Sequence, residues 1–426
     1  MSTGPKHLRL KLSLLLNFFV LAILLNSVGA VTLQVQRSFG VAPSAAGMLA
    51  VFKSIGIVAA SFLAMIYLTR IGYRRTMLYA LGTLTVVCAI VPSVPDFLMM
   101  KLLFIAAGAG FAAIKVSVYS TIGLVTDGPK AHASFMSFLE SFFTFGLVAG
   151  YFLFSAFTNE MDPQSHDWLR VFYVLAALSA LAWCLLLGVA LDETRVRSDH
   201  RWQDHLRIAR RVGLTEIVLL FGACVFLYVM IEQSTLNWLP TFNSNVLHLP
   251  VRLSLQLAGL LTVALALGRL AGGFILRRIA WLPVLATCLV CAMALVVVGL
   301  SLTGAGEIRP AASWSAAPAA AFLFPLIGFF VSPIYSAINS VVLSATPLEE
   351  HAPMSSIGVI FSACGSSLGT LGLGYLFDAY GGRSAFYFSL LPMALLLGCL
   401  LVFDRRSKRA ARPPPAVAAA KVAGPA

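Results

Sequence analysis

Polar residues along this chain fall in short breaks between apolar runs that recur from Leu12 to Phe403. An apolar run of about 18 or more residues is long enough to cross a bilayer as a helix. Most of these runs are too long, and too poor in charge, to be core strands. The pattern predicts twelve spanning helices, over residues 12–35, 45–69, 76–94, 97–125, 133–157, 168–190, 214–240, 253–276, 282–302, 319–345, 354–377 and 384–403. The first run follows Lys6, Arg9 and Lys11, as in a signal peptide. It exceeds the ~7–15 apolar residues of such a peptide and is read as a retained first span.

Composition supports this reading. Hydrophobic residues make up 59% of the 426, and charged residues only 11%. A soluble domain usually carries about 25% charged residues, so little polar surface is left to coat a water-soluble body. The net charge of +13 raises nucleic acid as a partner, but the placement of the charges argues against it. Twenty-one lysines and arginines fall in one set of alternate loops and the chain ends, and six in the other set. That excess puts both termini in the cytoplasm. The seven cysteines all lie inside apolar runs, so no disulfide framework is visible. Cys288 and Cys291 form a lone Cys-x-x-Cys, read as packing; no metal or cofactor is expected.

The longest loop, Leu191 to Val212, is basic and divides the spans into two sets of six. Repeated halves are common in secondary transporters. A basic turn follows span two (TRIGYRR, 69–75) and another follows span eight (LRRIAW, 276–281). Span five carries Gly146 and Gly150, and span eleven Gly365 and Gly369. That spacing bares one helix face to a close neighbour. The fold class expected is therefore an all-α integral membrane protein, with twelve transmembrane helices in two pseudo-symmetric six-helix bundles. The boundaries are a cytoplasmic N-terminus (1–11), an N-terminal bundle (12–190), a cytoplasmic basic linker (191–213), a C-terminal bundle (214–403) and a disordered Pro- and Ala-rich cytoplasmic tail (404–426).

This layout resembles the major facilitator superfamily. Arg70, Gly72, Arg74 and Arg75 match the basic part of that family's motif between spans two and three. The acid that normally precedes the first arginine is Thr69 here, a departure that leaves the usual gating salt bridge without its acid. Within the superfamily the chain is most similar to the fucose–proton symporter branch. The segments that carry this are GAGFAAIKVSVYSTIG (108–123), ASFMSFLESFFTFGLVAGYFLF (133–154), YVMIEQSTLNWLPTF (228–242), LGRLAGGFILRRI (267–279) and PIYSAINSVVLSATP (333–347). The resemblance implies proton-coupled import of sugars or related small polar solutes. The best-known sugar importer of that branch couples through acids in spans one and four. Span one here has none and span four has Lys115 instead, so those roles do not transfer.

An ionisable group at membrane depth is costly unless paired or hydrated, which makes each one a functional candidate. Five fall inside the spans: Lys53, Lys115, Glu140, Glu232 and Arg269. All seven histidines fall in loops, so a proton carrier near the midplane is Glu140, Glu232 or a lysine. Lys115 and Glu140 lie at depths of ~15 and ~12 Å from the same side, at 1.5 Å per residue, and are expected to pair. The pair reads either as a coupling switch or as a permanent brace between spans four and five. Glu232 shares its span with Gln233, Asn237 and Trp238, a strip of hydrogen-bond partners and a flat ring that suits a sugar. Trp238 alternatively belongs to the interfacial aromatic belt. Lys53 is a candidate to meet an anionic substrate or to pair with Glu232. Arg269 reads as a gating or packing residue beside the gating-loop residues. Asn26, Tyr335 and Asn339 are neutral candidates; buried amides in membrane helices are as often interhelical glue.

No phosphate-binding glycine loop, catalytic triad or metal cluster is visible, so neither an ATP-driven pump nor a membrane enzyme is expected. The alternatives are a proton-coupled drug or metabolite efflux antiporter, a lipid flippase and a non-transporting membrane sensor. Antiporters of the superfamily carry Gly-Pro-x-x-Gly-Gly in span five, where this chain reads GLVAGYFLF. The expectation is a monomeric multi-pass protein of a bacterial inner (plasma) membrane. Its partners would be a small-molecule substrate, protons and the lipid bilayer, with no nucleic acid.

Overall fold

The computed structural model describes residues 5–125, 129–189, 216–303, 313–345 and 351–410. Span one is two helices, α1 (Pro5–Asn26) and α2 (Val28–Ser38). Spans two to six are α3 (Pro43–Ile71), α4 (Tyr73–Ile90), α5 (Phe97–Val125), α6 (Pro129–Ala156) and α7 (Val171–Leu187). Spans seven to nine are α8 (Glu216–Asn245), α9 (Val251–Ile275) and α10 (Trp281–Leu302). Span ten is α11 (Ala319–Val331) with α12 (Pro333–Ala345), span eleven is α13 (His351–Tyr387), and span twelve is α14 (Leu390–Ala410). No strand occurs among the described residues. A helix satisfies its own backbone groups, as lipid demands.

Eleven of the spans are long and apolar enough to cross a bilayer by length and composition. In α14 the apolar stretch gives way to Asp404, Arg405 and Arg406. The tail boundary set at 404 needs correcting, because α14 stays helical to Ala410. Arg406 reaches Glu216 at the start of α8 across 3.1 Å, which ties this charged turn to the bundle. The linker 191–213 and residues 411–426 lie outside the described residues.

The breaks have local causes. At Ser27 the side-chain hydroxyl bonds the Leu24 carbonyl (2.8 Å), and Asn26 bonds Ala22 (2.9 Å), so side chains compete with the backbone ladder. Span ten breaks at Ser332 because Pro333 has no N–H to continue the helix. Between α3 and α4 the chain turns at Gly72, with φ 92° and ψ 149°, a backbone that a side chain would strain.

Helix pairing repeats between the halves. In the first, α1 packs on α6 and α7, α3 on α5, and α4 on α5 and α7. In the second, α8 packs on α13 and α14, α9 on α11, and α10 on α11 and α14. Each pairing recurs six spans later, as two bundles of common architecture require. The paired glycines sit at these contacts. A methyl on Gly146 would stand 2.6 Å from the Phe19 carbonyl oxygen of α1, and one on Gly369 2.7 Å from the Met230 carbonyl oxygen of α8.

The halves meet through α3 with α13, α6 with α9, and α2 with α8. Hydrogen bonds between them gather at the end away from the termini. Gln36 reaches Thr241 (3.3 Å) and Arg37 reaches Ser244 (2.6 Å). The Ser44 amide donates to Asp378 (2.8 Å), and Tyr151 donates to the Leu236 carbonyl (3.0 Å). Glu160 accepts from the Val251 and Arg252 amides (3.3 and 2.6 Å), which caps the N-terminus of α9 from the opposite half.

Candidate functional site

Two polar clusters, one in each half, hold most of the ionisable residues of the spans. In the first, α5 carries Lys115 and Tyr119 one turn apart, and α6 carries Glu140. The Tyr119 hydroxyl donates to Glu140 Oε1. Lys115 is not in direct contact with Glu140, so the expected ion pair needs correcting. Its ammonium lies over the rings of Phe111 (5.2 Å to the centroid) and Tyr119 (5.5 Å). Tyr119 thus stands between the cation and the carboxylate, presenting its ring to one and its hydroxyl to the other. Rings of Phe18, on α1, and Phe143, on α6, complete the wall.

The second cluster is built the same way. On α8, Tyr228 donates to Glu232 Oε1 across 2.8 Å, one turn along the same helix. Arg269, on α9, reaches that oxygen at 3.0 Å. Tyr335, on α12, stacks near Tyr228 with ring centroids 5.5 Å apart, and Asn339 bonds back to the Tyr335 carbonyl (2.7 Å). Glu232 is 10% exposed and Arg269 49%, so the carboxylate is enclosed and the guanidinium opens outward from it.

Four expected site residues lie elsewhere. Trp238 is fully buried, donates to the Thr370 carbonyl (2.8 Å) and stacks on Phe377 at 4.8 Å. It is neither a substrate platform nor part of an aromatic belt, because its ring and its one donor are both spent on α13. Asn237 is fully buried too, and bonds Thr370 Oγ1 (2.9 Å), which makes it interhelical glue. Lys53 is buried and does not pair with Glu232, which meets Tyr228 and Arg269 through Oε1. Its ammonium points to the Leu25 carbonyl (3.4 Å) beside the break in span one. Asn26 is half-buried at that same break and spends its donor on Ala22.

Tyr228 escaped notice in the sequence, although its spacing to Glu232 is a signal a helical wheel displays. The bonds that join the halves, such as Glu160 to α9, have no sequence signal, because each partner lies in a different half.

The sequence matches the Major Facilitator Superfamily over residues 12–324. The chain belongs to that superfamily. A search by sequence among curated proteins finds no match. Among solved structures it is similar to a bacterial homologue of the human lysosomal transporter Spinster, in an inward-facing, unoccupied conformation. The TM-score is 0.78 at 15% identity, covering 97% of this chain and 100% of that one. The nucleoside transporter NupG gives a TM-score of 0.70 at 14% identity, covering 94% and 99%. FucP, in the outward conformation, gives 0.60 at 16% identity, covering 93% and 98%. Fucose-type symporters are thus one group among several that share this major facilitator fold.

The loop motif of the superfamily does structural service in this member. Arg74 donates to the carbonyls of Leu186 (3.4 Å) and Leu187 (2.8 Å), so it caps the last turn of α7. Gly72 makes the turn, and Arg75 is exposed. The Arg70 side chain lies outside the described residues. Arg269, expected to gate or pack, instead belongs to the Glu232 cluster.

Proposed function

We propose that this chain is a proton-coupled importer that moves a small polar solute, sugar or sugar-like, between its two bundles by alternating access. The observation that carries this reading is the pair of clusters. Each half supplies one carboxylate inside the membrane, hydrogen-bonded to a tyrosine hydroxyl and placed near a cation. Taking up a proton removes the negative charge that the tyrosine hydroxyl and the neighbouring cation face. Proton uptake at Glu140 or Glu232 therefore changes what holds each half together at the interface, which is what coupling requires.

Under this reading residues 1–11, 191–213 and the end of the tail face the cytoplasm of a bacterial cell, the two bundles span 12–190 and 214–403, and the carrier works as a monomer. The test is uptake into proteoliposomes under an imposed pH gradient, with labelled fucose, xylose, glucose and uridine as the panel. Accumulation of one of these that collapses with a protonophore supports the reading. Proton-driven movement in the opposite direction replaces import with antiport. An absence of flux under either gradient overturns transport of this class.

A further inference from the structure

Each half carries a groove built on the same plan. In the first half α3 and α4 both pack on α5 and touch each other little, so a trough of about 350 Å³ opens between them. Its floor is Ala106, Ala109, Gly110 and Ala113 of α5, residues too small to fill it. In the second half α9 and α10 both pack on α11, and a trough of about 320 Å³ opens between them beside Phe329, Phe330 and Pro333. Spans eight, nine and ten thus repeat what spans two, three and four do. The walls present exposed apolar side chains: Leu63, Tyr67 and Tyr79 in the first groove, Ile275 and Ile279 in the second. Both grooves end at a basic turn on the terminal side. Ile71 and Thr76 line the first, and exposed Arg75 precedes Thr76. Ile275 and Ile279 line the second and flank Arg277 and Arg278, both exposed. From Ala60 to Ile71 the α3 wall rises about 16 Å, close to half of the ~30 Å hydrocarbon core and so the depth of one leaflet.

We propose that each groove holds an acyl chain of an anionic phospholipid from the leaflet on the side of the termini. The lipid phosphate meets Arg75 in the first half, and Arg277 and Arg278 in the second. An occupant that matches these surfaces is apolar through one leaflet and anionic at its edge, which describes that lipid. An arginine fork suits a phosphate in particular. A helix from a second copy of the chain would bring its own basic turn to the same depth, where like charges repel. The placement gives the lipid leverage. α3 and α9, which wall the two grooves, are also the helices that meet α13 and α6 of the opposite half. A lipid seated against them links the composition of that leaflet to the contacts between the halves.

The test is native mass spectrometry of the purified full-length chain in detergent. The probes are phosphatidylglycerol and phosphatidylcholine with identical acyl chains, and glycerol 3-phosphate as the headgroup alone. Two phosphatidylglycerols are expected to bind in two steps, at concentrations where phosphatidylcholine is not retained. A basic residue at the membrane surface strengthens the hold on anionic lipid by about fivefold. Arg75→Gln is therefore expected to weaken one step by about fivefold, and Arg277→Gln with Arg278→Gln the other by roughly twenty-five-fold. Thr83→Trp and Thr287→Trp each place a ring in one groove from an exposed wall position. Each is expected to abolish one step while leaving the melting temperature in phosphatidylcholine unchanged. Ala80→Phe fills the first groove from another wall position and takes the place of Thr83→Trp if that chain does not fold. Equal retention of phosphatidylcholine, or equally tight binding of glycerol 3-phosphate, overturns the assignment. So do groove-filled chains that keep both steps, because the basic turns then gather anionic lipid without the grooves.

Discussion

Tyr119 and Tyr228 stand in the same relation to their carboxylates, each giving one hydroxyl proton to a glutamate oxygen. A hydrogen bond to a charged acceptor contributes about 1.5–3 kcal/mol, which is lost when the tyrosine hydroxyl is removed. Tyr228→Phe is expected to lower proton-driven accumulation by about tenfold or more while leaving solute exchange at equal pH nearly intact. Uptake and counterflow measured side by side in proteoliposomes check this; equal loss of both places Tyr228 in substrate binding instead. Trp238 gives the opposite expectation. Its ring and donor are engaged by Phe377 and Thr370, away from both clusters. Trp238→Phe is expected to cost about 1–3 kcal/mol of stability, the scale of losing a buried hydrogen bond with some packing, and to leave KM unchanged. A raised KM at unchanged melting temperature speaks for contact with substrate.

At the scale of helices, the spans were legible because lipid imposes a single length and a single polarity on every one of them. The repeated glycines were legible too, since Gly146, Gly150, Gly365 and Gly369 recur at one spacing in corresponding spans. They fall where α6 crosses α1 and α13 crosses α8. Gly369→Val places a branched side chain against the Met230 carbonyl, and is expected to reduce folded protein in the membrane severalfold. Fluorescence-detected gel filtration reports this directly, and a monodisperse peak of wild-type height would mean that α8 and α13 yield. The clusters were legible in part. Depth along a helix brought Lys115 near Glu140, but only side-chain geometry places Tyr119 between them. Depth could not assign Arg269 to Glu232, because rotation about α9 is set by packing and not by the apolar pattern. Trp238 was misread for the same reason: composition gives its place along α8, and α13 decides which way it faces.

For the whole molecule, the feature with the widest reach is the set of bonds joining the halves at the end away from the termini. Glu160→Gln weakens the cap on α9, because a neutral amide oxygen accepts less strongly than a carboxylate. That substitution is expected to open this end more often. Spin-label distances between the outer ends of α6 and α9 read the change as a longer-distance population, and an unchanged distribution would show that the cap carries no weight. Bonds of this kind contribute ~0.5–1.5 kcal/mol each. Six of them at the low end sum to roughly 3 kcal/mol, which, where contacts at the other end do not match it, holds the opened form below about 1% of the empty molecules. Apparent affinity falls in proportion to the fraction of molecules able to receive the ligand. Under that condition sidedness is built into the resting state. One set of binding groups presents itself as a tight site to solute arriving from the terminal side, and as a site about a hundredfold weaker to the same solute arriving from the other.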